Sequence, residues 1–119
     1  MSTRQQIGMT PAAIVDRQLD AYHRHDIDAF ATCYTDDVVL GPLNGAVQSV
    51  GLAALRTRYR TLFQLYPKNR ARVVNRMVLG SVVIDHEDID RGPGAEKFQT
   101  LVIYTLAGDK IARVDFVRA

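Results

Sequence analysis

Apolar residues recur at helical spacing through the first half of the chain and alternate residue by residue through the second. The first helix opens at Met9-Thr10-Pro11. Thr10 is placed to cap the orphan amides, Pro11 suits the first helical position, and Met9 and Ile14 stand at the staple positions. Val15, Gln18, Leu19 and Tyr22 share one face, which sets a polar Gln18 inside an apolar stripe; Asp16, Arg17, Asp20 and Arg24 lie elsewhere. Asp26 caps a second, short helix that carries Ile27, Phe30 and Cys33 and ends near Tyr34. Thr35-Asp36-Asp37 reads as a turn into a short strand at 38–40. Breakers follow at Gly41-Pro42 and Asn44-Gly45, then a short segment at 46–50. The third helix spans 52–66 with the stripe Leu52, Leu55, Tyr59, Leu62, Phe63 and Tyr66, and Pro67 stops it.

From Asn69 the period changes to two. Strands are predicted at 72–79, 82–90, 98–106 and 110–118, separated by turns at Gly80-Ser81, Arg91-Gly92-Pro93-Gly94 and Ala107-Gly108-Asp109. Helices first and a meander afterwards predict an α+β protein with its helices on one face of a bent antiparallel sheet. Neither a repeat nor a linker interrupts the chain, so residues 1–119 are read as a single domain.

Composition narrows the partners. Of 119 residues 47% are hydrophobic and 24% charged, which places the chain among globular proteins. The net charge of +2 and the lack of any basic run predict no nucleic-acid partner. The lone Cys33 allows neither an internal disulfide nor a cysteine-built metal site. Residues 1–8 are polar, without the apolar core of a signal peptide, and no apolar run approaches the roughly 20 residues that span a bilayer. A cytoplasmic protein without a membrane partner is the expectation.

Three stretches now carry a resemblance. QLDAYHRHDIDAFATCYTDDVVL has a helix, an Asp-x-Asp cap at Asp26 and Asp28, and an aromatic-x-Asp-Asp entry to the first strand at Tyr34 to Asp37. Together with GLAALRTRYRTLF and VVNRMVLGSVVIDHE, it resembles the SnoaL-like branch of the nuclear-transport-factor-two-like superfamily, over about residues 11–118. The resemblance implies a cone: a curved antiparallel β-sheet with three N-terminal helices packed on its concave face. It implies no single reaction, because ketosteroid isomerases, polyketide cyclases, dehydratases, epoxide hydrolases and binders share that cone. The isomerase side chains are missing. The base Asp before a Pro falls on Gly41, the oxyanion Tyr of the first helix on Gln18, and the proton-donating Asp near Val102. Steroid isomerisation by that mechanism is therefore not expected. The acidic base of the polyketide cyclases has its nearest counterpart in Asp115, which strand parity turns outward.

Strand parity selects the candidate pocket. Phe98, Thr100, Val102 and Tyr104 share one face of their strand and Ala112, Val114 and Phe116 one face of the last; these are assigned to the concave side. Val82, Ile84, His86 and Asp88 continue an apolar row, and Val73, Asn75 and Met77 would face them, leaving Arg72 and Arg76 outside. The expected site is then His86 as general acid or base, with Tyr22 and Asn75 holding a carbonyl oxygen. Gln18, Phe63, Asp88, Phe98, Val102, Tyr104 and Phe116 line the rest. Asp85-His86-Glu87-Asp88 places at most two ligands on one face, too few for a three-ligand zinc site, so neither metal nor other cofactor is expected. His23 and His25, at a helix end, are expected in solvent. The apolar outer row Leu101, Ile103, Ile111 and Val117 points to a homodimer through the outer sheet face.

Two functions follow. One is metal-free acid/base chemistry of isomerase, cyclase or dehydratase type on a small hydrophobic carbonyl-bearing molecule. The other is a non-catalytic small-ligand-binding or dimerisation module. Epoxide hydrolysis needs an Asp-Arg-Asp cluster that parity does not assemble.

Overall fold

Thr10 caps the first helix as read from the sequence: its hydroxyl accepts from the Ala13 amide at 3.2 Å, and α1 runs from Pro11 to His23. The computed structural model describes residues 9–119; the polar stretch 1–8, read above as lacking a signal peptide, lies outside the described residues. Asp26 caps α2, Ile27–Ala31, by accepting from the Ala29 amide at 3.0 Å. The third helix, α3, covers Leu52–Leu65.

Six strands follow the helices' frame: β1 Tyr34–Pro42, β2 Ser49–Val50, β3 Arg70–Leu79, β4 Val82–Asp90, β5 Lys97–Ala107 and β6 Lys110–Arg118. They form one sheet in the order β2-β1-β6-β5-β4-β3. Every pairing is antiparallel except β1 against β6, which is parallel because the chain crosses α3 and the whole meander between them. The Asp36-Asp37 turn read from the sequence is an irregularity inside β1, where the register with β6 shifts between Tyr34 and Val39. Gly80, at φ 57°, makes the tight turn between β3 and β4.

The helices cover the concave face, α1 against β3, β4 and β6 and α3 against β1 and β2. Ile14, Val15, Gln18, Leu19 and Tyr22 of α1 are all buried. Phe30, 1% exposed, stands at the centre of an aromatic cluster, with ring centroids 4.6 Å from Tyr59 and 5.0 Å from Tyr34. Burying one such ring stabilises a fold by about 2–3 kcal/mol.

The ladder decides which residues enter the concave side. Directly opposite residues share a face, and β4 pairs Val83 with Tyr104, Asp85 with Val102 and Glu87 with Thr100. Val83, Asp85, Glu87 and Ile89 therefore point inward and are buried, which reverses the parity expected for β4. His86 and Asp88 lie on the outer face. On β3 a bulge falls between Val73 and Asn75, leaving Val74 without a partner. Val73 faces inward as expected, but beyond the bulge the faces exchange: Asn75, opposite His86, and Met77, opposite Ile84, turn out, and Arg76, opposite Asp85, turns in. Among the described residues no helix is long and apolar enough to cross a membrane.

Candidate functional site

Two carboxylates stand side by side at the inner end of the cone, and they are treated differently. Asp85, fully buried, takes a two-pronged ion pair from Arg76, with Nε 2.6 Å from Oδ1 and Nη2 3.0 Å from Oδ2. Arg76 also reaches Asp16 on α1 at 2.8 Å, so the bulge that turned it inward ties sheet to helix. Glu87 has no such cation among the described residues. It is 3% exposed, and its Oε2 has no hydrogen-bond partner. Burial raises its pKa to about 7; the neighbouring Asp85 charge adds to the rise, and Arg76 and the Tyr104 hydroxyl offset part of it.

Tyr104 belongs to a chain of side chains that fixes proton positions. The Tyr34 hydroxyl donates to Gln18 Oε1 at 2.7 Å, and Gln18 Nε2 donates to the Tyr104 oxygen at 3.2 Å. Tyr104 therefore has its own proton free, and its hydroxyl near Glu87 holds that carboxyl's rise down in part. The polar Gln18 in an apolar stripe is explained: it links two buried tyrosines and also donates to the Val15 carbonyl. Burial raises the pKa of Tyr34 and Tyr104 well above the usual phenol value, and that of Tyr59 to about 12. Tyr22 shifts upward for the same reason. Its oxygen accepts from Asn69 Nδ2 and, at 3.5 Å, from Arg91 Nη1, which leaves its proton free to donate.

A cavity of about 40 Å³ lies in this network, bordered by Gln18, Tyr22, Tyr34, Tyr59, Tyr104 and Phe116. Tyr22, Tyr59, Val102 and Phe116 also line a wider mouth of about 480 Å³, within the roughly 300–1,000 Å³ of small-molecule sites. Leu62, Leu65 and Ile89 supply apolar wall, and Arg58, Arg91 and Arg118 line the same space. Thr100, opposite Glu87 in the ladder, is part of that lining, as is Ile89, two residues along the face that Glu87 shares.

The structure thus brings together Tyr22, Gln18, Val102, Tyr104 and Phe116 of the expected site. His86 is corrected: it lies on the outer face, with Nε2 2.9 Å from Gln99 Oε1. Asn75 is corrected for the bulge: it is exposed and its side-chain oxygen accepts from the Arg76 amide at 3.0 Å. Asp88 sits on the outer face in an ion pair with Arg72. Phe63 packs behind the cavity, between Tyr22, at 5.6 Å, and the stacked ring of His25, at 4.5 Å. His25 is thus half-buried rather than solvated, and the exposed His23 lies 2.9 Å from the Ala71 carbonyl. Phe98 carries the Arg118 guanidinium over its ring at 3.8 Å and that of Arg91 at 5.1 Å. Asp115 is paired with Arg113 at 3.1 Å. At Gly41 a side chain would be crowded: a Cβ there would come 3.0 Å from the Ala46 carbonyl oxygen.

Glu87, Asp85 and the three mouth arginines were not among the expected site residues. The pairing of β4 with β5 was the signal that could have found the carboxylates, since the parity of β5 was read correctly and opposite residues share a face.

Comparison with known proteins agrees with this architecture. The family model described as SnoaL-like domain matches residues 15–114. A cystatin-fold protein from Novosphingobium aromaticivorans superposes with a TM-score of 0.88 at 29% identity, over 93% of this chain and 100% of that one. A nuclear-transport-factor-two-like protein from Cytophaga hutchinsonii gives 0.78 at 14% identity, covering 100% of this chain and 95% of that one. A Sinorhizobium meliloti protein provisionally described as a polyketide cyclase gives 0.76 at 20% identity, covering 92% of this chain and 100% of that one. No functionally curated protein matches the chain.

Proposed function

The chain belongs to the SnoaL-like domain family, and from that premise we propose that it performs acid/base chemistry of isomerase, cyclase or dehydratase type on a small, largely apolar carbonyl compound, with Glu87 as the group that moves the proton. One observation carries the reading. Glu87 is a buried carboxyl that has a tyrosine hydroxyl on one side, no cation of its own and an unpartnered oxygen. Keeping such a group idle costs stability, and a carboxyl that titrates near 7 is poised both to take and to return a proton. The polyketide-cyclase neighbour lends the reaction class its plausibility by analogy alone.

In this reading the apolar body of the ligand stays in the mouth and its reacting end points toward the small inner cavity. Glu87 is not among the residues lining either space, so side chains of the wall must shift to uncover it. Glu87 takes a proton from the carbon next to the carbonyl. Tyr22 and Tyr59, which line both spaces and hold their protons, donate to the oxygen as it gains charge. Glu87 then returns the proton, at the same or another carbon. A homodimer through the outer face belongs to the same proposal, supported by the exposed apolar side chains Met77, Leu79, Leu101 and Val117. Ile111, expected in that outer row, is instead fully buried, because the register with β5 shifts between Thr105 and Leu106.

The test needs no physiological substrate. Small aryl ketones and 2-oxo acids are incubated with protein in D2O, and deuterium uptake at the carbon beside the carbonyl is followed by mass spectrometry. The protein should accelerate uptake for at least one of them, Glu87→Gln should lose about a thousandfold of that acceleration, and His86→Ala should retain it. Equal rates for the protein and Glu87→Gln would remove Glu87 from the chemistry. Ligand-induced stabilisation with no exchange would leave the binding-module reading in its place.

A further inference from the structure

The mouth has an unusual balance of charge. Among the described residues its lining includes Arg58, Arg91 and Arg118 and no carboxylate. Arg91 is half-buried, yet its partners are neutral: Nη1 donates to Asn69 Oδ1 at 2.8 Å and to the Tyr22 oxygen at 3.5 Å. Its remaining donors bond to no side chain among the described residues, though a guanidinium has five N–H groups. Among the described residues Arg58 donates only to Gln48, at 3.2 Å, and it lies 5.5 Å over the Phe116 ring. Arg118 alone has a carboxylate partner, Glu96, which is exposed and outside the cavity. Phe98 gathers Arg91 and Arg118 over one ring, so the fold brings two like charges together beside an apolar wall. Glu96 neutralises part of this charge from outside the cavity, while Arg91 has no carboxylate partner among the described residues and directs its positive potential into the mouth.

We infer that the mouth binds an organic carboxylate with an apolar body. The carboxylate would sit against the free edge of Arg91, with Arg58 and Arg118 closing around it, and the body would lie along Leu62, Ile89, Val102 and Phe116. This deepens the proposed function by naming the substrate class: a carbonyl compound that also bears a carboxylate. It rests on the reading of this cavity as the ligand site, but it does not depend on catalysis by Glu87.

Binding is measured by calorimetry with three probes: 4-phenylbutanoate, its neutral counterpart 4-phenylbutanamide, and acetate. The carboxylate should bind at least tenfold tighter than the amide and far tighter than acetate, and the preference should shrink as salt is raised. Arg91→Met should abolish the preference for the carboxylate over the amide, and Arg91→Lys should keep part of it. Should Arg91→Met fail to fold, the exposed rim variant Arg58→Gln should still weaken carboxylate binding several-fold without affecting the amide. Equal affinity for acid and amide, an acetate affinity matching that of phenylbutanoate, a preference that survives both variants, or no measurable binding of the carboxylate would each overturn the inference. Failure here is separable from failure of the proposed chemistry. A carboxylate preference retained in Glu87→Gln alongside absent exchange keeps the binding site and discards the mechanism; exchange without the preference does the reverse.

Discussion

The inner end of the cone and its mouth are built from the same strands and obey different rules. At the inner end, α1 buries a whole face, four tyrosines keep their protons, and Asp85 is matched by Arg76 and Gln18 by Tyr34 and Tyr104. At the mouth, α3 buries only Leu55 and Phe63, leaves Leu65 65% exposed, and contributes Arg58 to an open space that Arg91 and Arg118 also line. The contrast sets a buried, hydrogen-bonded region, where the Glu87 carboxyl is pushed up to about 7, against an open region lined by cations. It also locates the exception: within this network the buried Oε2 of Glu87 has no hydrogen-bond partner.

Breaking the ordered end should have the largest effect. Asp85→Ala leaves Arg76 half-buried without its main partner and should cost about 3–5 kcal/mol in denaturant unfolding. It should also lower the Glu87 midpoint, because one neighbouring negative charge is lost and Arg76 is freed. The mouth should tolerate the opposite experiment: Leu65→Ser should change stability by no more than about 0.5 kcal/mol, since that side chain is already mostly in water. A large loss there would show that the mouth is packed in solution as the inner end is.

How much of this was legible follows the same division. The cap at Thr10, the buried stripe of α1, the limits of β4 and β6 and the inward face of β5 could all be read from local pattern, because each rests on one element's own periodicity. The site could not, for two physical reasons. The β4 pattern is ambiguous: Val82 and Ile84 mark one face and Val83 and Ile89 the other, and charge at Asp85 and Glu87 made the buried face look solvated. The bulge at Val74 then reversed β3, which sent Asn75 outward and Arg76 inward; two successive valines, Val73 and Val74, were its only local trace. The mouth arginines were missed because arginine is read as surface, whereas Arg91 and Arg118 fold back over Phe98. A parallel β1–β6 pair joins elements some seventy residues apart, and nothing local announces it.

The central claim is that Glu87 is a buried, uncompensated carboxyl. A group whose pKa is raised in the folded state favours folding fully below its unfolded value and loses that contribution as pH rises through the folded value. Glu87 therefore destabilises the protein progressively between pH 4.5 and about 7, by roughly 3 kcal/mol once ionised. Glu87→Gln should recover that stability at pH 8 and gain nothing at pH 4. The most direct measurement is the carbon-13 NMR titration of the Glu87 side-chain carboxyl, assigned by comparison with Glu87→Gln. A midpoint near 7 is the expected result. A midpoint at the ordinary 4.5 would mean that the carboxyl is solvated or paired in solution, and would contradict the account of the site.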